Sequence, residues 1–536
     1  MSLAREPEML RQEVLARPGG IIAAGHDQTV AAAAALLREG GNAFDAALAA
    51  LLAACVAEPV LASLGGGGFL LAHNERLGTR LYDFFAQTPC IRRPAVEVDF
   101  HPIVADFGVA QQEFHIGMGA MATPGVVRGL FAIHRDLCRL PLAEIAAPAL
   151  RIARQGVTVN AFQAYIAEVV GPILRSSPGA LAVHQSPAVP GRVAVQGEVL
   201  CHAQFADALD ALIRYGEDLF YTGEMGQRLV TDCRAAGGHL TDRDLRDYRV
   251  QVREPLRFTY RGARLATNPA PSIGGMLIAF SLALLESVPL PELGFGSESH
   301  LRSLARAMAL TQRLRREQAF DGIPDQRDSQ RLLSEPLLGE YRRALHEHHV
   351  FERGTTQISV IDAAGNLASM TLSNGEGCGY VIPGTGIMMN NMLGEEDINP
   401  RGFHRWPTNR RIASMMAPTL MLADDGRALA TGSGGSNRIR SSILQVLSSL
   451  IDFDSNLDEA VARPRIHFES GQLNLEPGFE SSVLDVLRGE FADQRRWEER
   501  NLFFGGAHAV MHDGRGRLFG AGDPRRGGVC RAVGID

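Results

Sequence analysis

Apolar residues recur at helical spacing through roughly the first three hundred positions and in strand alternation after about residue 353. Alanine-rich runs at 29–39 and 42–56, split by Gly40-Gly41, predict two packed helices. The same period predicts helices at 142–156, 205–215 and 226–236, and another at 244–248 after the cap signal Thr241-Asp242. Short strands are expected at 68–73, 80–85 and 260–267, and a Pro/Gly loop at 268–275 leads into a helix at 276–286. Beyond residue 353, strands are expected at 357–362, 367–372, 386–390, 419–422 and 429–432, with one helix at 441–452. A strand-rich part joined to a helix-rich part predicts layered sheets covered by helices, an α/β fold.

Charge and composition narrow the picture. The chain is 46% hydrophobic and 21% charged, the balance of a globular protein with a large core. Its net charge of −7 and the lack of a basic cluster interleaved with aromatics argue against nucleic-acid binding. The alanine-rich helices are too short to span a bilayer, so no membrane partner is expected. The first fourteen residues mix both charges and show no apolar signal core. Seven cysteines without a CxxC pair fit a reducing compartment, so a cytoplasmic location is expected. The charge-rich run 302–316, with Arg342-Arg343 and His346-Glu347-His348-His349, reads as solvated helix and loop. The latter is not a metal-ligand pattern, and Gly65–Gly68 lacks the context of a nucleotide fingerprint, so no metal or cofactor is expected.

The candidate chemistry lies at Gly354-Thr355-Thr356-Gln357-Ile358-Ser359-Val360-Ile361-Asp362. A threonine hydroxyl needs a base within hydrogen-bond reach, and the free amine of an N-terminal threonine is one solution. A cut between Gly354 and Thr355 would put nucleophile and base in one residue. Ser63-Leu64-Gly65-Gly66-Gly67-Gly68-Phe69, Ala122-Thr123-Pro124-Gly125, Pro383-Gly384-Thr385-Gly386-Ile387, Asn390-Asn391, Ala417-Pro418-Thr419, Thr431-Gly432-Ser433-Gly434-Gly435-Ser436 and Asp523-Pro524-Arg525 accompany it in order. From about Gly20 to Arg525 this set resembles the γ-glutamyltranspeptidases, of the N-terminal-nucleophile hydrolase superfamily.

The resemblance implies an αββα four-layer sandwich and a precursor that cuts itself into a large subunit, 1–354, and a small one, 355–536, which stay associated. It implies that Thr355 attacks first the Gly354 carbonyl and then a small-molecule amide, passing the acyl group to water or an amine. Glycine before the cut tolerates the strained backbone such attack needs. The turn Gly432-Ser433-Gly434-Gly435-Ser436 is the candidate oxyanion hole, with the amide pair either Gly434 and Gly435 or Gly435 and Ser436. Ser373, beside Thr371, is the candidate hydroxyl that supports the nucleophile, and Asn374 and Glu395 are candidates for the substrate's α-amino group. Gln357 stands where the family usually has histidine.

Two further departures from the family pattern bear on the substrate. Phe85 replaces the arginine that clamps the substrate's α-carboxylate, and Met415 replaces the second serine of a pair whose first is Ser414. Losing such a partner costs roughly 2–5 kcal/mol when the other charge stays buried. Arg92 or Arg93 would compensate only if their loop folds back. The resemblance therefore implies cleavage of γ-glutamyl-type amides such as glutathione, with two alternatives: an acylase for a non-glutamyl acyl amide, like the related cephalosporin acylases, or an uncleaved homologue that only binds.

Overall fold

The structure, a computed structural model, describes residues 18–106, 111–317, 324–343, 355–399 and 401–534. Two antiparallel sheets stack face to face, each backed by helices. In the labels used here, with minor elements omitted, β1 is Pro18–Ala24, β2 Gly67–Asn74, β3 Gly78–Asp83, β4 Gln251–Arg253, β5 Leu256–Tyr260 and β6 Ala263–Thr267. They are followed by β7 Thr356–Asp362, β8 Leu367–Ser373, β9 Thr419–Leu422, β10 Arg427–Gly434, β11 Gly506–Asp513, β12 Leu518–Ala521 and β13 Val529–Gly534. The first sheet runs β13-β1-β7-β8-β2-β3-β4 and the second β12-β11-β10-β9-β6-β5. Both combine strands from either side of the Gly354-Thr355 junction, so both parts share one core.

Helices α1 (Asp27–Arg38), α2 (Ala43–Ala57) and α3 (Leu142–Gln155) cover the outer face of the first sheet. Every side chain of α2 is buried, and its alanines allow close packing against the sheet. Its start is fixed by an Asn42–Asp45 capping box and by Ala43 N, which donates to Asp362 Oδ2 at 2.8 Å. Asp362 also accepts from Ala364 and Asn366, so the turn ending β7 is tied to the helix layer. Helices α4 (Gly274–Leu285), α5 (Glu298–Glu317) and α6 (Arg438–Ile451) cover the second sheet. The αββα architecture implied by the resemblance is the one found.

Several local expectations change. The strand expected at 260–267 is a hairpin, because Arg261 and Gly262 both take positive φ and reverse the chain between β5 and β6. The strand expected at 386–390 shrinks to Ile387–Met388. The run 302–316 is not merely solvated: within α5 the side chains of Leu301, Leu304, Met308, Leu310 and Leu314 enter the core. Arg342 and Arg343 close the helix Glu335–Arg343, while residues 346–349 lie outside the described residues. Helix Asp242–Asp247 starts from the expected Thr241 cap.

Candidate active site

β7 pairs with β8 so that Thr356 opposes Leu372, and β8 pairs with β2 so that Ser373 opposes Gly67. Across β2 and β3, Phe69 opposes Asp83. Continuing these registers by one or two residues sets Thr355, Ser373, Gly67 and Phe85 in one row. Side chains alternate faces along a strand, so this row shares the inter-sheet face with Gln357 and Thr371. Gly67 keeps the row open between Ser373 and Phe85, and a Cβ there would come within 2.7 Å of Ala86 N. The glycine run thus serves close packing of strand on strand.

Thr355 is 4% exposed. The glycine turn at the end of β10 approaches it closely: a Cβ on Gly434 would overlap the Thr355 carbonyl oxygen. Gly435 follows with φ +115° and Ser436 with φ +51°, both in the left-handed half of backbone space, and α6 begins at Arg438. Among the described residues no hydrogen bond engages the Gly435 amide, which leaves a donor at the mouth of a helix. Arg526 Nη1 donates to Thr355 O at 3.1 Å. Burial and the neighbouring Arg438 guanidinium lower Arg526 to about 10 against the opposing pull of Asp523 and Glu376. The turn carrying Arg526 is itself held by Asp523, whose carboxylate pairs with Arg465 at 2.7 Å and accepts from Ala507 N.

Behind Thr355 the inter-sheet face is polar. Gln357 Nε2 donates to Ser359 Oγ at 3.1 Å and to Ser369 Oγ at 3.0 Å, and Thr371 Oγ1 donates to Gln357 Oε1 at 2.6 Å. The hydroxyls of Ser359 and Ser369 continue to His508 O and Thr431 O in the second sheet. Thr371 is therefore consumed by this lattice. Ser373 is the hydroxyl in the Thr355 row, and its Oγ accepts from Gly375 N at 3.0 Å.

One side of the row is polar. Asn374 is fully buried, yet among the described residues neither Oδ1 nor Nδ2 has a hydrogen-bond partner. An unsatisfied buried amide costs about 1–3 kcal/mol, a cost a ligand removes. Glu395 lies beside it: a Cβ on Gly375 would overlap Glu395 Oε1 and Asn391 Oδ1. Glu376, bridged to Asn374 and bonded through its N–H to Asn391 Oδ1 at 3.0 Å, adds a second buried acid.

The other side is apolar. Phe85 is 2% exposed and stacks on Phe69 with ring centroids 5.3 Å apart. Ile412 N donates to Ala86 O at 3.1 Å, so the chain leading to Ser414 and Met415 passes along the segment of Phe85. Met415 is buried in the same apolar cluster, and Ser414 Oγ accepts from Met416 N at 3.1 Å. The loop of Arg92 and Arg93 does not fold back to Phe85: Arg92 donates to Trp406 O and Arg93 to Arg234 O. Arg411 reaches Phe85 O, and it also donates to Arg249 O and pairs with Asp83.

The fold thus gathers Thr355, Ser373, Gly434, Gly435, Ser436, Asn374 and Glu395 at one end of the sandwich, and Phe85, Ser414 and Met415 on adjoining segments. Gly354 lies outside the described residues. Sequence reasoning missed Arg526 and Glu376. Their only signals were adjacency to Asp523-Pro524-Arg525 and to Asn374.

The sequence profile of the family described as Gamma-glutamyltranspeptidase matches residues 29–533. The Acylase ACY 1 proenzyme of Pseudomonas sp. (strain SE83) is 31% identical over 96% of this chain and 93% of its own. The Glutathione hydrolase proenzyme of Escherichia coli (strain K12) is 28% identical over 91% of this chain and 87% of its own. Among solved structures, cephalosporin acylase from Bacillus halodurans superposes with a TM-score of 0.85 over 99% of both chains at 24% identity, a likeness of fold.

Proposed function

The chain belongs to the γ-glutamyltranspeptidase family, and from that premise we propose that it is a self-processing N-terminal-threonine amidohydrolase or acyltransferase. The observation that carries the reading is the seat of Thr355, buried at the end of the inter-sheet face with the Gly434–Ser436 turn against its carbonyl. In this reading the Thr355 hydroxyl attacks the Gly354 carbonyl, an N-to-O shift makes an ester, and water releases fragments 1–354 and 355–536. The freed α-amine, with an unperturbed pKa near 7.7–8.0, then takes the hydroxyl proton as Thr355 attacks a substrate amide. Amides of the glycine turn steady the tetrahedral oxyanion, which collapses to an acyl-enzyme as the proton passes to the departing amine, and water or another amine then takes the acyl group.

For the donor, we propose an amide whose acyl group presents an amine to Asn374 and Glu395 and no free carboxylate to Phe85 and Met415. The buried aromatic stack offers a carboxylate no donor, and the Pseudomonas relative bears the name of an acylase. A second reading, cleavage of γ-glutamyl amides such as glutathione, is favoured by the intact amine end and by the name of the Escherichia coli relative.

A panel of p-nitroanilides tests the choice. The 4-aminobutyryl anilide is the γ-glutamyl anilide without its α-carboxylate. The proposed donor class requires a higher kcat/KM for the 4-aminobutyryl compound, and a clear preference for the γ-glutamyl one would establish the second reading. A denaturing gel that shows one uncut but active chain would remove the mechanism.

A further inference from the structure

Glu58, at the C-terminal cap of α2, is 1% exposed and has no part in the chemistry above. Its carboxylate receives two hydroxyl donors, Thr29 Oγ1 on Oε1 and Thr356 Oγ1 on Oε2, each at 3.0 Å. Thr356 directly follows Thr355, so its side chain points to the helix face of the sheet while Thr355 points to the inter-sheet face. Gly25 makes room for the acid: a Cβ there would come within 2.6 Å of Glu58 Oε2. Arg526 Nη1 donates to Thr355 O at 3.1 Å. The first two positions of the β7 segment are therefore each held by a side chain from another element. A cut before Thr355 turns this strand position into a chain end, and chain ends fray unless tied down.

Resting on the reading that Thr355 is freed as nucleophile, we propose that Glu58 is a positioning residue: by holding the Thr356 hydroxyl it fixes the start of β7, and with it the hydroxyl and α-amine of Thr355. The ionisable groups around the carboxylate are His26 from the β1–α1 loop, Cys55 on α2 and Arg526. Burial raises Glu58 above the usual carboxylate range, opposed by His26, the hydroxyls of Thr29 and Thr356, and Arg526. The grip needs an acceptor oxygen rather than a charge, and glutamine supplies one.

The test compares Glu58→Leu, Glu58→Gln, Thr356→Val and the double variant Glu58→Leu/Thr356→Val. Misplacing a reacting atom by about 1 Å costs on the order of 10²-fold, so Glu58→Leu and Thr356→Val should lower kcat ~10–100-fold on the anilides with KM within about threefold. Glu58→Gln should recover most of that loss. The double variant should be no worse than the poorer single one, because both remove the same bond. Thr356→Val preserves side-chain shape, so it reads the proposal even if Glu58→Leu fails to fold. Self-cleavage on a denaturing gel gives a second readout without any substrate, and both single variants should slow it about tenfold. A wild type that cuts itself but turns over no anilide would defeat the donor reading and leave the gel readout of Glu58 intact. Normal cutting and kcat in Thr356→Val, additive losses in the double variant, or equal losses in Glu58→Gln and Glu58→Leu would overturn the proposal.

Discussion

The two ends of the candidate acyl pocket are built by opposite means. At one end Asn374, Glu376 and Glu395 are buried polar groups, and the Asn374 amide has no hydrogen-bond partner among the described residues. At the other, Phe85 stacks on Phe69 in the apolar cluster that also buries Met415, with the nearby guanidinium of Arg411 engaged by Asp83, Phe85 O and Arg249 O. A buried amide without a partner is tolerated where a ligand completes it, and a carboxylate pressed against aromatic rings has no such completion. In the proposed function the reaction centre lies between the two ends and the ends select the donor. That reading puts reactivity and specificity on different residues, so that a relative can keep one while changing the other.

The contrast presupposes that Thr355 attacks between the two ends, and the harshest way to break it is Thr355→Ala. That variant should remain one full-length chain on a denaturing gel and lose activity on the order of 10⁴-fold or more. Wild-type fragment sequencing should find Thr355 at the new N-terminus, and another start would move the reaction centre. Next in size is Gly435→Val, which fills a backbone position at φ +115° near the candidate oxyanion donors. It should lower kcat ~10²–10³-fold for every donor alike, since the oxyanion is common to all. A loss confined to one donor would place the turn in specificity instead.

The apolar end is tested by Phe85→Arg with Met415→Ser. The ratio of kcat/KM for γ-glutamyl over 4-aminobutyryl anilide should rise about ten- to a hundredfold, the worth of a charged hydrogen bond of roughly 1.5–3 kcal/mol. An unchanged ratio would mean that the carboxylate is bound elsewhere. The smallest effect is expected at the polar end. Asn374→Ala should cost about tenfold in kcat/KM for the 4-aminobutyryl anilide and little for butyryl anilide, which has no amine. Equal losses on both would assign Asn374 to the reaction centre and collapse the distinction between the ends.

Some of this was legible in the chain. Alternation at 357–362 and 367–372 predicts β7 and β8 nearly to the residue, because strands buried on both faces still carry β-branched residues and end at Gly/Asn turns. The β5–β6 hairpin was missed because Arg261, not a usual turn residue, takes the positive φ before Gly262. The solvated reading of α5 fails because its arginines are interspersed with its apolar residues along the chain, while the fold turns every apolar one inward. Counting along the chain makes Ser373, not Thr371, the candidate hydroxyl. The strand register places Ser373 in the Thr355 row and Thr371 on Gln357.

The sequence by itself determined the kinds of groups present: a glycine-threonine junction, a glycine turn, an asparagine and an acid, and a phenylalanine where the family places arginine. Those identities follow from order and spacing along the chain. What each group touches was decided by the tertiary structure alone. Glu58 reaches Thr356 across 298 residues, and Arg526 reaches Thr355 across 171. Neither contact leaves a periodic trace, because a side-chain bond between separate elements depends on how whole layers stack and not on local propensity. Residue type is written locally, whereas the partner of a buried hydroxyl or guanidinium is chosen by packing.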